Sequence, residues 1–272
     1  MIFVFLISIS ATAASSGAPW WQRFELAAPK VDPDRIRASS LMKRRKLADC
    51  EQAVELLERS LAKTPHDDAL ALECAVALNA CMRIKTHSNT LHITRMLDTP
   101  EHKKVWRKLG PRALELASRA KQARPNDPDA LVAYADAYFF ANSVKGVLAA
   151  ATTGSGLKFK ANSKELIRKC PRADGGVGHC YLGAFFLMAP WPMFNAKLAE
   201  QHLTTAHRIV PSRRNAYYVG VMHYRLGRPE KAMGYFQEAI RARCNSPSES
   251  DFGEWMLKEA KAALAVCQRE AC

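Results

Sequence analysis

The chain has 272 residues, of which 48% are hydrophobic and 24% charged, a balance that excludes a disordered protein and suffices for one or two globular domains. A net charge of +14 favours anionic partners such as acidic protein faces, phospholipid headgroups or nucleic acid. The charge is scattered, and only residues 43–46 and 103–108 form local basic runs, so we expect no specific nucleic-acid binding.

Residues 1–14 predict a secretory signal peptide. MIFVFLISIS is an apolar run that is too short to span a bilayer, and ATAA supplies the small residues of a cleavage site. No Lys or Arg precedes the run. We expect a secreted protein or one of the secretory or periplasmic lumen, with at most peripheral membrane association. A cytoplasmic or organellar location is the alternative if the signal is not cleaved.

Residues 15–40 predict an extended N-terminal arm. The segment contains Trp20, Trp21 and three prolines, and proline lacks the backbone N–H that a helix interior requires. We expect the two tryptophans to pack against the helical body that follows.

From residue 41 onwards, apolar side chains recur at helical spacing. Pro65 and Pro125 end helices, and Asp67 and Asp127 are suited to cap the helices that follow. The helices predicted in the first half span 47–64, 67–84, 101–109, 111–123 and 128–143.

The glycine-rich stretch within residues 145–176 predicts an insertion that consists of a loop and a short helix at 161–169. Beyond it, Ser212 is suited to cap a helix and Gly227 to end one. The helices predicted here span 175–188, 194–209, 213–226, 229–242 and 251–269. The last of them is amphipathic and would cover the open end of a helical stack.

A spacing rule recurs along these helices: a small residue, an apolar residue four later, a small residue seven later and a stop twelve later. Steps of four and three keep such residues on one helical face, where small side chains allow a neighbouring helix to approach closely. The copies are Ala53, Leu57, Ser60, Pro65; Ala113, Ala117, Ala120, Pro125; Ala199, Leu203, Ala206, Pro211; and Ala232, Phe236, Ala239, Cys244.

The last copy resembles the tetratricopeptide repeat (TPR), because Gly220, Gly227, Ala232, Phe236 and Ala239 match the family's glycine, alanine and aromatic positions. The preceding copy resembles it through Leu182-Gly183 with Ala199, Leu203, Ala206 and Pro211. The resemblance implies an all-α fold over residues 41–272. In this fold, antiparallel helical hairpins stack as a divergent TPR-like right-handed solenoid with a C-terminal capping helix.

Two narrower resemblances concern the C-terminal half. Asp174-Gly175-Gly176, Tyr181-Leu182-Gly183 and Ala189-Pro190-Trp191-Pro192 resemble the exported T-component proteins of TRAP transporters, which implies binding of a small ligand. Residues 213–263 resemble the regulator of microtubule dynamics family. Neither resemblance assigns an active residue to this chain.

The eight cysteines fit an oxidising compartment, and two disulfides are predicted. Cys50 lies opposite Cys81 if the helices on either side of Pro65 form an antiparallel hairpin. Cys170 and Cys180 bracket a loop that contains Asp-Gly-Gly and can fold back. The alternative is that these cysteines are reduced side chains of the helical core.

No nucleotide-binding, hydrolase or metalloprotease motif occurs, and no His or Cys spacing predicts a closed zinc site. We therefore expect no cofactor, no metal and no enzymatic activity. An enzyme that uses residues 145–180 remains an alternative of another class.

In repeat arrays the first helix of each hairpin lines the concave face. This geometry predicts a binding surface of Arg214, Tyr217, Tyr224 and Arg225, together with Asp136 and Phe139. Arginine and tyrosine are enriched in recognition surfaces, which favours an acidic peptide tail or a carboxylate ligand. The favoured interpretation is a non-enzymatic scaffold that binds a protein or peptide partner; the alternative for the tyrosines is that they cover the core.

Overall fold

The structure is a computed structural model that describes residues 32–87, 91–93, 99–146, 149 and 154–270. Every regular element in this part of the chain is helical, which confirms the all-α class. A short 3-10 helix spans Ala173–Gly175. The α-helices are α1 Pro33–Arg44, α2 Leu47–Lys63, α3 Asp68–Thr86, α4 Pro100–Ala123, α5 Pro128–Ser143, α6 Ser155–Lys169, α7 Val177–Met188, α8 Ala196–Ile209, α9 Arg213–Arg225, α10 Pro229–Arg241, α11 Pro247–Ser250 and α12 Gly253–Glu270.

The helix starts follow from the predicted capping residues. Asp67 accepts a hydrogen bond from the backbone N–H of Leu70, and Ser212 accepts one from that of Asn215. Asp127 accepts from two backbone N–H groups of the first turn of α5. These side chains satisfy amide groups that have no partner within the helix. Gly227 follows α9 with φ of 71°, a left-handed conformation that glycine adopts without strain.

Consecutive helices pack against one another as stacked hairpins, and their contacts depend on small residues. Ala53, Ala113, Ala199 and Ala232, which begin the four copies of the spacing rule, are fully buried. At Gly220, a Cβ atom would lie 2.6 Å from Cε1 of Phe236, so only glycine permits this approach. Because α12 packs on α9 and α10, it closes the C-terminal end of the array, as predicted.

The predicted extended arm is wrong over its C-terminal part, since Pro33–Arg44 forms α1. Pro33 occupies the first helical position, where the missing N–H costs nothing and the fixed φ suits the helix. Ala38 and Leu41 are buried and pack in the same core as α2. Residues 15–31 of the arm and the predicted signal peptide lie outside the described residues.

Two further helix boundaries differ from those predicted. The helices expected on either side of Pro111 are one continuous helix, α4. Gly110 contributes to the continuity of α4 because it lets α5 approach closely. A Cβ atom at this position would lie 2.9 Å from the Cα of Ala141 in α5. Packing against α5 thus compensates for the hydrogen bond that proline removes. The helix within residues 145–176 begins at Ser155 rather than at 161, and it packs between α5 and α7 as part of the array.

Neither predicted disulfide is present, because Cys50, Cys81, Cys170 and Cys180 are all free thiols. Cys50 and Cys81 lie in one small buried cluster with Ala80, so the predicted hairpin register is right although the bond is absent. The Cys180 thiol instead donates to Oδ1 of Asn215, with Sγ and Oδ1 3.1 Å apart. Cys170 remains at the protein surface beside the backbone carbonyl of Asn126. The alternative of reduced cysteines is the one that the structure supports.

Candidate functional site

A groove with a volume of about 610 Å³ is a candidate site that the described residues form. It runs along α3 and α5, the first helices of their hairpins, and we call it the α3–α5 groove. Its lining comes from α3, α5, α1 with Arg45, and the segment 246–248, together with Leu57 and Asp174. Its polar lining consists of Ser39, Arg45, Glu73, Asn79, Arg83, Asp129, Asp136, Asp174, Ser246 and Ser248.

Arg83 lies at the base of the groove, where only 7% of its side chain is exposed. Its Nη1 donates to Oδ2 of Asp136 over 2.5 Å, and its Nε donates to Oδ2 of Asp251 over 2.7 Å. Burial opposes the charged form of Arg83, but the two carboxylates outweigh it and raise the guanidinium pKa. Arg83 is thus a fixed, neutralised cation rather than a free one.

Asp251 receives a second guanidinium at the edge of the groove. Arg45 donates through Nε and Nη2 to the two carboxylate oxygens over 2.7 and 2.5 Å, a bidentate arrangement. Arg45 has φ of 52°, an uncommon value for a residue with a side chain. One arginine from the α1–α2 connection and one from α3 therefore converge on a buried carboxylate that lies between α11 and α12.

A second buried ion pair joins Arg214 to Asp174, with Nη1 and Oδ2 3.0 Å apart. The hydroxyl of Ser248 donates to the same carboxylate over 2.7 Å. Burial alone would raise the pKa of Asp174, but Arg214 and the serine hydroxyls lower it below its ordinary value. Asp174 has φ of 45° within a 3-10 turn, so the backbone itself presents this carboxylate to Arg214.

Between the two ion pairs lies a cavity with about 20 Å³ of space, which is room for one water molecule. Tyr181 borders it and donates its hydroxyl to Asp136. Burial and the neighbouring Asp136 raise the pKa of Tyr181 well above its ordinary value, so the hydroxyl stays protonated as a donor. The cavity is far smaller than a site for an organic ligand.

Among the described residues that line the groove, Asn79 is the one whose buried side chain has a polar atom without a hydrogen-bond partner. Its Nδ2 donates to the backbone carbonyl of Ala133 over 2.9 Å, which fixes the amide between α3 and α5. The residue is 1% exposed, and its Oδ1 has no hydrogen-bond partner among the described residues. A buried acceptor without a partner costs free energy, so the amide oxygen of Asn79 is a polar group that the fold leaves unsatisfied.

The structure brings together three of the six residues predicted to bind. Asp136, Phe139 and Arg214 all border the small cavity at the base of the groove, and Asp136 also lines the groove itself. The prediction that Arg214 lies on an open surface is wrong, because Arg214 is 3% exposed and paired with Asp174. Asp174 neutralises the charge of Arg214 inside the protein, so this guanidinium stabilises the fold.

The other three predicted residues lie elsewhere. Tyr217 is completely buried and packs against Phe236, so the alternative that it covers the core is correct. Tyr224 donates to Oε1 of Glu270 over 2.9 Å and thereby ties α9 to the capping helix. Arg225 donates to the carbonyl of His92 over 3.1 and 3.0 Å. These contacts hold the fold together, and a binding role for Tyr224 and Arg225 stays a prediction.

Sequence reasoning missed Asn79, Arg83, Asp174 and Asp251. One signal was available: Asn79 and Arg83 are four residues apart on a helix whose other residues are mostly apolar. Polar side chains at this spacing share one face of α3, and burial of that face demands partners. Nothing in the spacing identifies Asp136 and Asp251 as those partners.

The described residues contain no group of three or more His, Cys, Asp or Glu side chains that could hold a metal ion. None of the described helices combines the length and the apolar character that a membrane span requires.

The stacked hairpins define a helical-repeat fold, and one solved structure supports this assignment. TTC0263, a thermophilic TPR protein of Thermus thermophilus, is similar with a TM-score of 0.57 and 17% identity, over 85% of this chain and 99% of that one. The MamA protein has a TM-score of 0.36 and 13% identity over 63% of this chain and 92% of its own. No family model matches the chain, and no curated protein matches it significantly. The likeness to TTC0263 establishes the fold alone: an all-α, TPR-like helical-repeat solenoid.

Proposed function

We propose that this protein is a non-enzymatic scaffold that binds a segment of a partner protein in the α3–α5 groove. The observation that carries the proposal is Asn79, a residue of the groove lining whose buried Oδ1 has no hydrogen-bond partner among the described residues. An extended peptide presents a backbone N–H at regular intervals, and one such donor would satisfy Asn79. The similarity to TPR proteins supports the proposal at the level of fold.

The charges of the groove favour a neutral or basic segment over the acidic one expected from composition. Both guanidiniums of the lining, Arg45 and Arg83, are already paired with buried carboxylates. Glu73 is paired with Arg35, whereas Asp129 is exposed and takes part in none of the ion pairs found among the described residues. We infer that Asp129 contacts a basic or hydrogen-bond-donating side chain of the partner.

The size of the cavities argues against the alternative of a small-ligand protein. The enclosed cavity at the base of the groove holds about one water molecule, and the wide groove is open to solvent. An open groove accommodates a chain that continues at both ends, which a peptide does and a small metabolite does not.

A display experiment tests the proposal. A random peptide library is panned on the immobilised protein, and the selected peptides are measured by fluorescence anisotropy. We expect saturable binding that weakens roughly fivefold in Asn79→Ala, the loss of about one hydrogen bond. Asp129→Lys should weaken the binding of basic peptides in particular. Glu55→Ala, an exposed change on α2, is the matched control.

Two results would contradict the proposal. In the first, peptides are selected but bind Asn79→Ala and Asp129→Lys as tightly as the unchanged protein. In the second, panning enriches no peptide. Circular dichroism of each variant separates a lost contact from a lost fold.

Export through residues 1–14 remains a proposal, because these residues lie outside the described ones. N-terminal sequencing of the protein from its native host tests it. A mature chain that begins after Ala13 or Ala14 supports export, and one that begins at Met1 excludes cleavage.

A further inference from the structure

Large apolar side chains are exposed at one end of α6 and α7. Among the described residues the exposed ones are Ile36, Leu157, Trp191 and Phe194, and Trp191 is the extreme case at 89% exposure. A tryptophan left almost entirely in water loses the free energy that its burial would provide. Single exposed apolar residues are ordinary, whereas several that share one edge of the fold mark an interaction site.

Leu157, Trp191 and Phe194 belong to the same end because α6 and α7 run antiparallel. Gly178, at the start of α7, lies against Leu166 and Ile167 near the end of α6. At the other end, Nζ of Lys160 lies 5.0 Å from the ring centroid of Phe186. Leu157 precedes Lys160 by one turn, and residues 189–195 follow α7. The start of α6 and the α7–α8 loop thus form one edge of the array.

The loop that carries Trp191 is held in a defined conformation. The backbone N–H of Asn195 donates to the carbonyl of Phe186 over 3.0 Å, and that of Met193 donates to Pro190 over 2.9 Å. Met193 packs against the core, which leaves Trp191 and Phe194 pointing outward. The exposure of the two rings follows from the loop geometry.

The charged side chains in the segments that form this edge are all positive. Residues 154–160 and 189–198 contain three lysines and no Asp or Glu. Lys158 and Lys197 are exposed, and neither takes part in an ion pair found among the described residues. Exposed aromatic and aliphatic side chains flanked by lysines are the composition of surfaces that insert into the headgroup region of anionic bilayers.

We propose that this edge, which comprises Leu157, Trp191 and Phe194 with Lys158 and Lys197, docks the protein onto an anionic lipid surface. Trp191 and Phe194 enter the interface between headgroups and acyl chains, and the lysines contact the lipid phosphates. A lipid surface fits better than a protein partner because the rings protrude from a loop instead of lining a concavity. The contact is reversible, since a few side chains provide it. It leaves the α3–α5 groove free for a partner.

The test measures binding of the full chain to vesicles of phosphatidylcholine alone and of phosphatidylcholine with phosphatidylserine. We expect co-sedimentation with the anionic vesicles that falls roughly tenfold or more in Trp191→Ala, the effect of leaving one large apolar side chain in water. Phe194→Ala should give a smaller loss. Ile36→Ala removes an exposed apolar side chain on α1 and is the control. Every variant carries the same N-terminal residues, so differences report on the edge.

Two further measurements complete the test. Lys158→Glu with Lys197→Glu should lower anionic binding and weaken its dependence on salt. Brominated lipids should quench tryptophan fluorescence in the unchanged chain and much less in Trp191→Phe. Unchanged vesicle binding in Trp191→Ala overturns the proposal. So does a lack of binding to the anionic vesicles; self-association that Trp191→Ala abolishes would then assign the edge to a protein contact.

Discussion

Arg83 and Asp251 are 168 positions apart in the chain, and the Arg83 Nε donates to the Asp251 Oδ2 over 2.7 Å. Arg83 belongs to the second half of α3, and Asp251 lies between α11 and α12. The pair therefore connects the first hairpins to the last at the base of the α3–α5 groove. Arg45 and Asp136 complete a network in which each buried charge faces an opposite one.

Removal of Asp251 should destabilise the protein strongly. In Asp251→Ala two guanidiniums, those of Arg45 and Arg83, lose their shared carboxylate. An uncompensated buried charge costs roughly 3–5 kcal/mol, and we expect the free energy of unfolding in urea to fall by about that amount. Glu115→Ala, which removes a surface partner of Arg112 that is 66% exposed, should change it by less than about 1 kcal/mol. Equal effects of the two changes would show that the buried network adds nothing beyond a surface pair.

Gly220→Ala should also destabilise the fold, because its Cβ would overlap the ring of Phe236, which is fully buried and cannot move aside. Overpacking of this kind costs roughly 1–3 kcal/mol. Gly234 in α10 is the control, since a Cβ there meets nothing within 4 Å. Gly234→Ala should stabilise the protein by roughly 0.5–1 kcal/mol through helix propensity. Thermal unfolding of both variants tests the contrast; a shift of the two in the same direction would refute the close-packing account.

Stability should fall as the pH drops through the histidine range. Burial lowers the pKa of His179, His202 and His223 below the ordinary value of 6.5. Between pH 6.5 and the lowered pKa of the folded state, the unfolded chain binds protons that the folded chain does not bind. The stability that these histidines contribute is therefore complete above pH 6.5 and is lost as the pH falls from there through the folded pKa. We expect a lower melting temperature at about pH 5 than at about pH 7.5.

The pair His179 and His202 provides the specific control for this prediction. Their Nδ1 atoms are 3.0 Å apart, an arrangement that accommodates one proton and not two positive charges. Replacement of both by glutamine should reduce the pH dependence of the melting temperature, whereas His66→Gln in an exposed turn should not. A double variant with the full pH dependence would disprove the assignment.

The cysteines should react in the order of their exposure. Burial raises the pKa of Cys81 to about 12 and that of Cys180 to about 11, which suppresses the reactive thiolates. Under native conditions iodoacetamide should label Cys170 first and should leave Cys50, Cys81 and Cys180 unmodified until the chain unfolds. Peptide mass spectrometry gives the order. A mass increase on reduction of the untreated protein would instead reveal a disulfide and contradict the assignment of free thiols.

The positions of the helices could be predicted from the sequence because local chemistry decides them. Pro65 and Pro125 cannot continue a helix, Asp67 and Asp127 accept hydrogen bonds from the free amides of the next one, and alanines at steps of three and four form the packed faces. Each of these signals acts within one or two turns. They sufficed for the hairpins, for the capping helix α12 and for the side of α5 that faces the groove.

At Pro111 and Arg214, packing outweighs the local signal. Pro111 would end an isolated helix, but the contact between Gly110 and Ala141 keeps α4 continuous. Arg214 has the residue type of a recognition surface, yet Asp174 pairs with it inside the core. In both cases a partner from another element changes the outcome.

By itself, therefore, the sequence determined most of the helical segments from α2 onwards and the small-residue faces that pack them together. The tertiary structure alone decided which charges are buried, which side chains form the groove and which rings remain in water. The physical reason is the separation along the chain of the residues that interact. Helix starts and stops depend on neighbours within four residues, whereas Arg83 and Asp251 or Arg214 and Asp174 meet only after the whole array has assembled. The positions of these partners follow no periodic spacing in the sequence, so pattern analysis does not identify them.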